Sequence, residues 1–228
     1  SVTALIVGDT VTVHYDANGG TGAPADAQFV YGSGSATLYT GTGVTKNNYS
    51  FAGWSTVAGD GSTTITSYSD SASVTVYALW TFTGYNYNIT FAGGTGSSGT
   101  MSNYSGTSPA TSPSTITLPS NTTITKTGYT FKDWLSNTGE TYTDGAVITL
   151  TQDITKTFTA EWTANTNNII YNNGGGSGTD PSTPTQVNSG STFIVPENPY
   201  TKVGYHFAGW SDGTRTYSAG ATYPINGQ

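Results

Sequence analysis

Lys46-Asn47-Asn48-Tyr49-Ser50-Phe51-Ala52-Gly53-Trp54 decides the fold, because the chain writes this segment three times. It returns as Lys126-Thr127-Gly128-Tyr129-Thr130-Phe131-Lys132-Asp133-Trp134, and again as Lys202-Val203-Gly204-Tyr205-His206-Phe207-Ala208-Gly209-Trp210. The tryptophans are spaced by 80 and then 76 residues, the mark of tandem modules. A short run rich in β-branched and aromatic residues, then a glycine turn, precedes each copy. These are Val11–Tyr15 before Gly19-Gly20, Asn88–Phe91 before Gly93-Gly94, and Asn168–Tyr171 before Gly174-Gly175-Gly176. A further strand-like run follows the first two copies, Val76-Tyr77-Ala78-Leu79-Trp80 and Phe158-Thr159-Ala160-Glu161-Trp162.

All of these runs read as β-strands. Period-2 alternation puts Val11, Val13 and Tyr15 on one face. It also sets Tyr49, Phe51 and Gly53 opposite Ser50, Ala52 and Trp54. No stretch has convincing helical periodicity; a short helical turn near 143–147 is the most the pattern allows. The expected class is therefore all-β, in three tandem modules set in line. The boundaries are residues 11–82, 83–164 and 165–228, after an N-terminal strand over residues 1–10. Phe51, Trp54, Trp80, Phe131, Trp134 and Trp162 are the expected repeated core, with Phe207 and Trp210 as the third-module equivalents. Segments 92–114 and 172–191 are almost wholly Gly, Ser, Thr, Asn and Pro and read as solvated loops.

Composition narrows the function. Only 8% of the 228 residues are charged, the net charge is −7, and there are 45 Thr and 25 Ser. Disorder is excluded by the 13% of aromatic residues, which can build several small cores. Six Lys and Arg cannot track a phosphate backbone, so no nucleic-acid partner is expected. No apolar run approaches the roughly 18 residues of a membrane-spanning helix. With no Cys, there is no disulfide, thiolate metal site or cysteine nucleophile.

The strand with its glycine turn, the Gly-Tyr-x-Phe-x-x-Trp centre and the Tyr-Ala-x-Trp ending resemble the B-repeat of the internalin and the Listeria–Bacteroides repeat family. The resemblance covers nearly the whole chain. Asn48 departs from the glycine before the tyrosine, and Asp133 stands where Gly53 and Gly209 lie. The resemblance implies small β-grasp-like modules, used in tandem on extracellular or cell-surface proteins. It implies no enzyme activity and brings no catalytic residues.

The residues add little chemistry of their own. His14 and His206 are read as solvent-facing strand residues without metal-ligand neighbours. Asp16-Ala17-Asn18-Gly19 is read as a turn, since the later ligands of a calcium loop are missing. No phosphate loop, nucleophile elbow or paired carboxylate stands out. Lys46, Lys126 and Lys202 recur without a recurring acidic partner, which speaks against isopeptide bonds. Asn48, Asn88, Asn103 and Asn121 begin Asn-x-Ser/Thr sequons. No catalytic residue, metal or cofactor is expected.

The phase of the repeat suggests an assembly. At the distance that separates Trp54 from Trp80, a third closing strand would fall beyond Gln228. Val2-Thr3-Ala4-Leu5-Ile6 matches the two closing strands in pattern. Two readings follow. In one, the chain is a piece of a longer array, such as the stalk of a surface adhesin. Alternatively, Val2, Thr3, Ala4, Leu5 and Ile6 of one subunit complete the third module of the next, head-to-tail, beside Ile169, Tyr171, Tyr205, Phe207 and Trp210. The favoured expectation is the second: a filament or pilus-like fibre subunit forming a homopolymer. A glycan-binding module using exposed aromatic rings, with host or surface glycans as partners, is a third reading.

Overall fold

The computed structural model describes residues 1–59, 61–182 and 184–226, and among these residues there is no helix. Six strands span the first copy of the motif: β1 (Thr10–Asp16), β2 (Ala27–Val30), β3 (Ala36–Thr37), β4 (Tyr49–Ser55), β5 (Ser67–Tyr68) and β6 (Val74–Phe82). Seven span the second: β7 (Asn86–Ala92), β8 (Tyr104–Thr107), β9 (Ser114–Thr117), β10 (Tyr129–Ser136), β11 (Thr141–Tyr142), β12 (Val147–Leu150) and β13 (Ile154–Ala164). Six shorter ones span the third: β14 (Thr166–Asn168), β15 (Gln186–Asn188), β16 (Thr192–Ile194), β17 (Trp210–Ser211), β18 (Thr216–Tyr217) and β19 (Thr222–Pro224).

The chain packs as two compact units. One comprises residues 1–87, 105–116 and 148–154; the other comprises 88–104, 117–147 and 155 onward. In the first unit a four-stranded sheet runs β2-β1-β6-β4. β6 lies between β1 and β4: parallel to β1, with Tyr15 opposite Val76, and antiparallel to β4, with Trp54 opposite Ala78. Val11, Val13, Tyr15, Trp54, Val76 and Ala78 are buried on one face of that sheet, as alternation along each strand requires.

The β4 alternation departs from the simple reading. A bulge between Phe51 and Gly53 inserts one residue and resets the facing. Phe51 and Trp54 therefore meet edge-on, with ring centroids 5.2 Å apart. β10 bulges at the equivalent place, between Phe131 and Asp133, and Phe131 meets Trp134 at 4.9 Å. Asn48 is also explained. Its φ is 65°, at the corner where Gly128 and Gly204 have φ of 79° and 80°, and asparagine tolerates that left-handed region.

The central sheet of the second copy runs β11-β10-β13-β7-β8. Within the second unit Phe158 and Ile89 are fully buried, and Phe91 packs on Trp134 at 4.9 Å. The third copy contains three two-stranded sheets, β14-β15, β16-β19 and β17-β18. β8 and β15 lie inside the segments expected to be loops. Thr, Ser and Asn residues pair there as short edge strands. Residues 143–146 form a turn leading into β12, and none of 143–147 is helical. The expected strand over residues 1–10 is not formed within the chain. Residues 1–9 are in no strand; the Asp9 carbonyl accepts from Tyr31 N at 3.0 Å.

Candidate functional site

Two open clefts lie in the third copy of the motif. Residues 169–173 and 205–209 are in no strand, so His206 does not sit on a strand as the sequence suggests. A cleft of about 330 Å³ is lined by Tyr171, Phe193, Val195, Trp210 and Tyr223, and an adjoining one of about 760 Å³ by Asn173, Gly176, Tyr205, Phe207 and Trp210. Ile170 is 89% exposed, Tyr205 73% and Phe207 40%. Ile169, Tyr171 and Trp210 are half-buried.

These residues still make the contacts of the first copy. Trp210 meets Tyr171 at 5.3 Å and Phe207 at 5.5 Å, as Trp54 meets Tyr15 at 4.9 Å. Trp210 Nε1 donates to the Pro196 carbonyl at 2.9 Å, and Trp54 Nε1 to the Tyr39 carbonyl at 2.8 Å. The Tyr171 hydroxyl donates to the Pro184 carbonyl, and burial raises its pKa. Burial first, and then its 2.7 Å hydrogen bond to Asp180, push the Tyr200 hydroxyl up to about 12. Both phenols stay neutral at ordinary pH, and polar and apolar groups share the lining of the cleft about equally.

The other sequence-selected residues fall as follows. Trp54 and Trp134 are buried, while Phe51, Phe131, Trp80 and Trp162 are half-buried. Trp80 Nε1 donates to the Ala17 carbonyl at 3.0 Å, and Trp162 Nε1 to the Gly93 carbonyl at 2.8 Å. Val2, Leu5 and Ile6 are 103%, 91% and 87% exposed, and Thr3 and Ala4 are exposed beside them. Each repeated lysine caps a tyrosine ring: Lys46 over Tyr49, Lys126 over Tyr129 and Lys202 over Tyr205, at 4.6, 4.3 and 4.7 Å. Such contacts contribute about 0.5–1 kcal/mol at exposed sites.

Several polar arrangements were hidden from the sequence. His14 Nδ1 lies 2.7 Å from Asp26 Oδ1, an exposed pair of small energetic weight. The Asp153 carboxylate accepts from Asn86 N, Asn47 Nδ2 and Asn48 Nδ2 at 2.7, 3.1 and 2.7 Å. Those bonds, the Asn86 amide foremost, lower its pKa. Glu140 accepts from Ser136, Thr138 and Lys156, which together bring its pKa down to about 2. The Asn48 and Asn121 side chains are engaged in hydrogen bonds, whereas Asn88 and Asn103 are exposed. Among the described residues no three of His, Asp and Glu gather to hold a metal. Among the described residues no helix is long and apolar enough to cross a membrane.

Comparison with known families finds the Listeria-Bacteroides repeat domain at residues 12–79, 87–155 and 168–228. That repeat family is found in cell-surface proteins. No curated protein and no solved structure matches the chain.

Proposed function

Because the chain belongs to the Listeria-Bacteroides repeat domain family, we propose that it is a non-catalytic structural protein of the cell surface whose third repeat takes up a strand from a neighbouring copy. The cleft between residues 169–173 and 205–211 carries this reading. In repeat 1 the corresponding segments, β1 and β4, are separated by β6, which pairs with both. In repeat 2, β13 lies between β10 and β7. We read each of these sheets as β-grasp-like, with the strand that follows the motif at its centre; among the described residues of the third repeat no strand lies between 169–173 and 205–211.

Val2–Ile6 suits the vacancy. It carries the apolar-x-Ala-x-apolar pattern of Val76–Trp80 and Phe158–Trp162, and its apolar side chains are in water. Transferring the β6 register places Val2 beside Tyr171, Ala4 beside Trp210 and Ile6 beside Phe207. Burying Val2 and Ile6 contributes about 1.5–3 kcal/mol each, and each ladder bond a net of about 0.5–1.5 kcal/mol. Association costs several kcal/mol at least, so contacts flanking the strand are part of a durable joint. Because donor and acceptor are different surfaces, copies add head-to-tail without closing and give a fibre. Trp54 and Trp134 are buried and offer no stacking face to a glycan.

Deleting residues 1–7 tests the reading. The shortened chain should keep its fold, since those residues are in no strand, and should stay monomeric where the full chain forms fibres in micrographs. Fibres of unchanged repeat from the shortened chain would refute it and favour a stalk whose slot is filled by other chain segments.

A further inference from the structure

We infer that the cleft of repeat 3 contains a berth for an indole ring, so that it selects an extended segment with tryptophan at the position Ile6 would occupy. The inference rests on the strand-accepting reading and specifies its ligand. In repeat 1 the berth is filled. Trp80 Nε1 donates to the Ala17 carbonyl at 3.0 Å, and the ring stands edge-on to Phe51 at 5.9 Å. Its floor is Gly20, where a Cβ would come within 2.5 Å of Trp80 Cζ2. Repeat 2 holds its indole by the same two contacts, with Trp162 Nε1 donating to the Gly93 carbonyl at 2.8 Å and the ring 5.7 Å from Phe131, although Ser97 stands where repeat 1 has Gly20.

Repeat 3 keeps the walls of that berth. The turn that presents the acceptor carbonyl is the same, with Gly176 N donating to Asn173 O at 3.0 Å as Gly20 N donates to Ala17 O at 2.9 Å. Ser177 N donates to Thr201 O at 2.8 Å, as Thr21 N does to Thr45 O. A Cβ on Gly176 would meet the Thr201 and Asn173 carbonyls at 2.8 and 3.2 Å, but no ring. Phe207 is the counterpart of Phe51, and Asn173, Gly176 and Phe207 all line the 760 Å³ cleft. Isoleucine has no donor for the Asn173 carbonyl and no ring edge for Phe207. A closing strand of another repeat, ending in Ala-x-Trp, supplies both. Such a strand caps the slot in preference to the chain's own N-terminal strand.

The test uses the chain lacking residues 1–7 and three labelled peptides followed by fluorescence anisotropy. They are residues 2–7, the same peptide with Ile6→Trp, and the same with Leu5→Trp, which carries the ring on the opposite face. The Ile6→Trp peptide should bind about tenfold tighter than the parent, equivalent to roughly 1.4 kcal/mol. Leu5→Trp should give no such gain, and Phe207→Ala in the chain should erase the advantage. If the parent binds and Ile6→Trp binds no better, the berth is refuted while the slot stands. If none of the peptides binds, the slot itself is refuted.

Discussion

Repeats 1 and 3 carry the same motif and differ in what their motif is packed against. Tyr15 and Trp54 are each 2% exposed, whereas their counterparts Tyr171 and Trp210 are half-buried. The ring contacts and indole hydrogen bonds are nearly the same in both. The difference lies across the sheet. β6 covers β1 and β4 in repeat 1, and among the described residues no strand lies between 169–173 and 205–211 in repeat 3. The motif sets local ring geometry. Burial, and with it most of the energy of a small core, comes from the central strand.

The largest effect that can break this comparison is tryptophan truncation. Trp54→Ala should cost about 3–5 kcal/mol, as for other buried large-to-small changes. Trp210→Ala in the free chain should cost clearly less, because water already reaches the ring. Urea denaturation followed through repeat-specific NMR signals would measure both. Equal losses would mean that the open cleft of repeat 3 has no energetic meaning.

Acid gives a smaller effect that sharpens the comparison. Asp153 holds Asn47, Asn48 and Asn86 beside repeat 1. Asp212 in repeat 3 accepts from the Arg215 and Thr214 amides at 2.8 Å each. Both pKa values lie below the ordinary 3.8, through the Asn86 amide first for Asp153 and the Arg215 amide first for Asp212. A depressed carboxylate stabilises the fold above its unfolded pKa and loses that contribution as pH falls through its folded one. Both repeats should therefore weaken below about pH 4, with repeat 1 remaining the firmer. Thermal melts between pH 6 and pH 2 check this. An inverted order at low pH would show that the Asp153 cluster, rather than β6, sets the difference.

Much of this was legible in the sequence, because alternation and recurrence report burial directly. The run Val11, Val13, Tyr15 and the recurring Trp54 and Trp134 are buried residues that period and bulk alone single out. What escaped had no local signal. A bulge at Ala52 changes no residue type, yet it turns Trp54 onto the face of Phe51. β8 and β15 are written in residues that also compose loops, and pairing rather than composition makes them strands. Asp26 lies 12 residues from His14, across a turn, and Asp153 lies 105 from Asn48, so their pairing appears only once the chain is folded. The contrast between the Trp54 and Trp210 environments is of the same kind, since both sit in the same local motif.

The parallel pairing of β1 with β6 also has a mechanical consequence. The chain enters repeat 1 at the start of β1 and leaves it at the end of β6. Tension along a tandem array therefore drags these two neighbours in opposite directions along their length. The rungs of the ladder from Val13–Val74 to Asp16–Tyr77 are then loaded together in shear, instead of being peeled apart one at a time as at a hairpin end. Rupture requires the rungs to fail at once, and forced unfolding is governed by the height of that barrier rather than by equilibrium stability. In a single-molecule pulling experiment repeat 1 should yield at a markedly higher load when held through residues 10 and 82 than through the hairpin ends 10 and 30. Equal yield loads from the two attachments would show that the ladder does not act as a clamp.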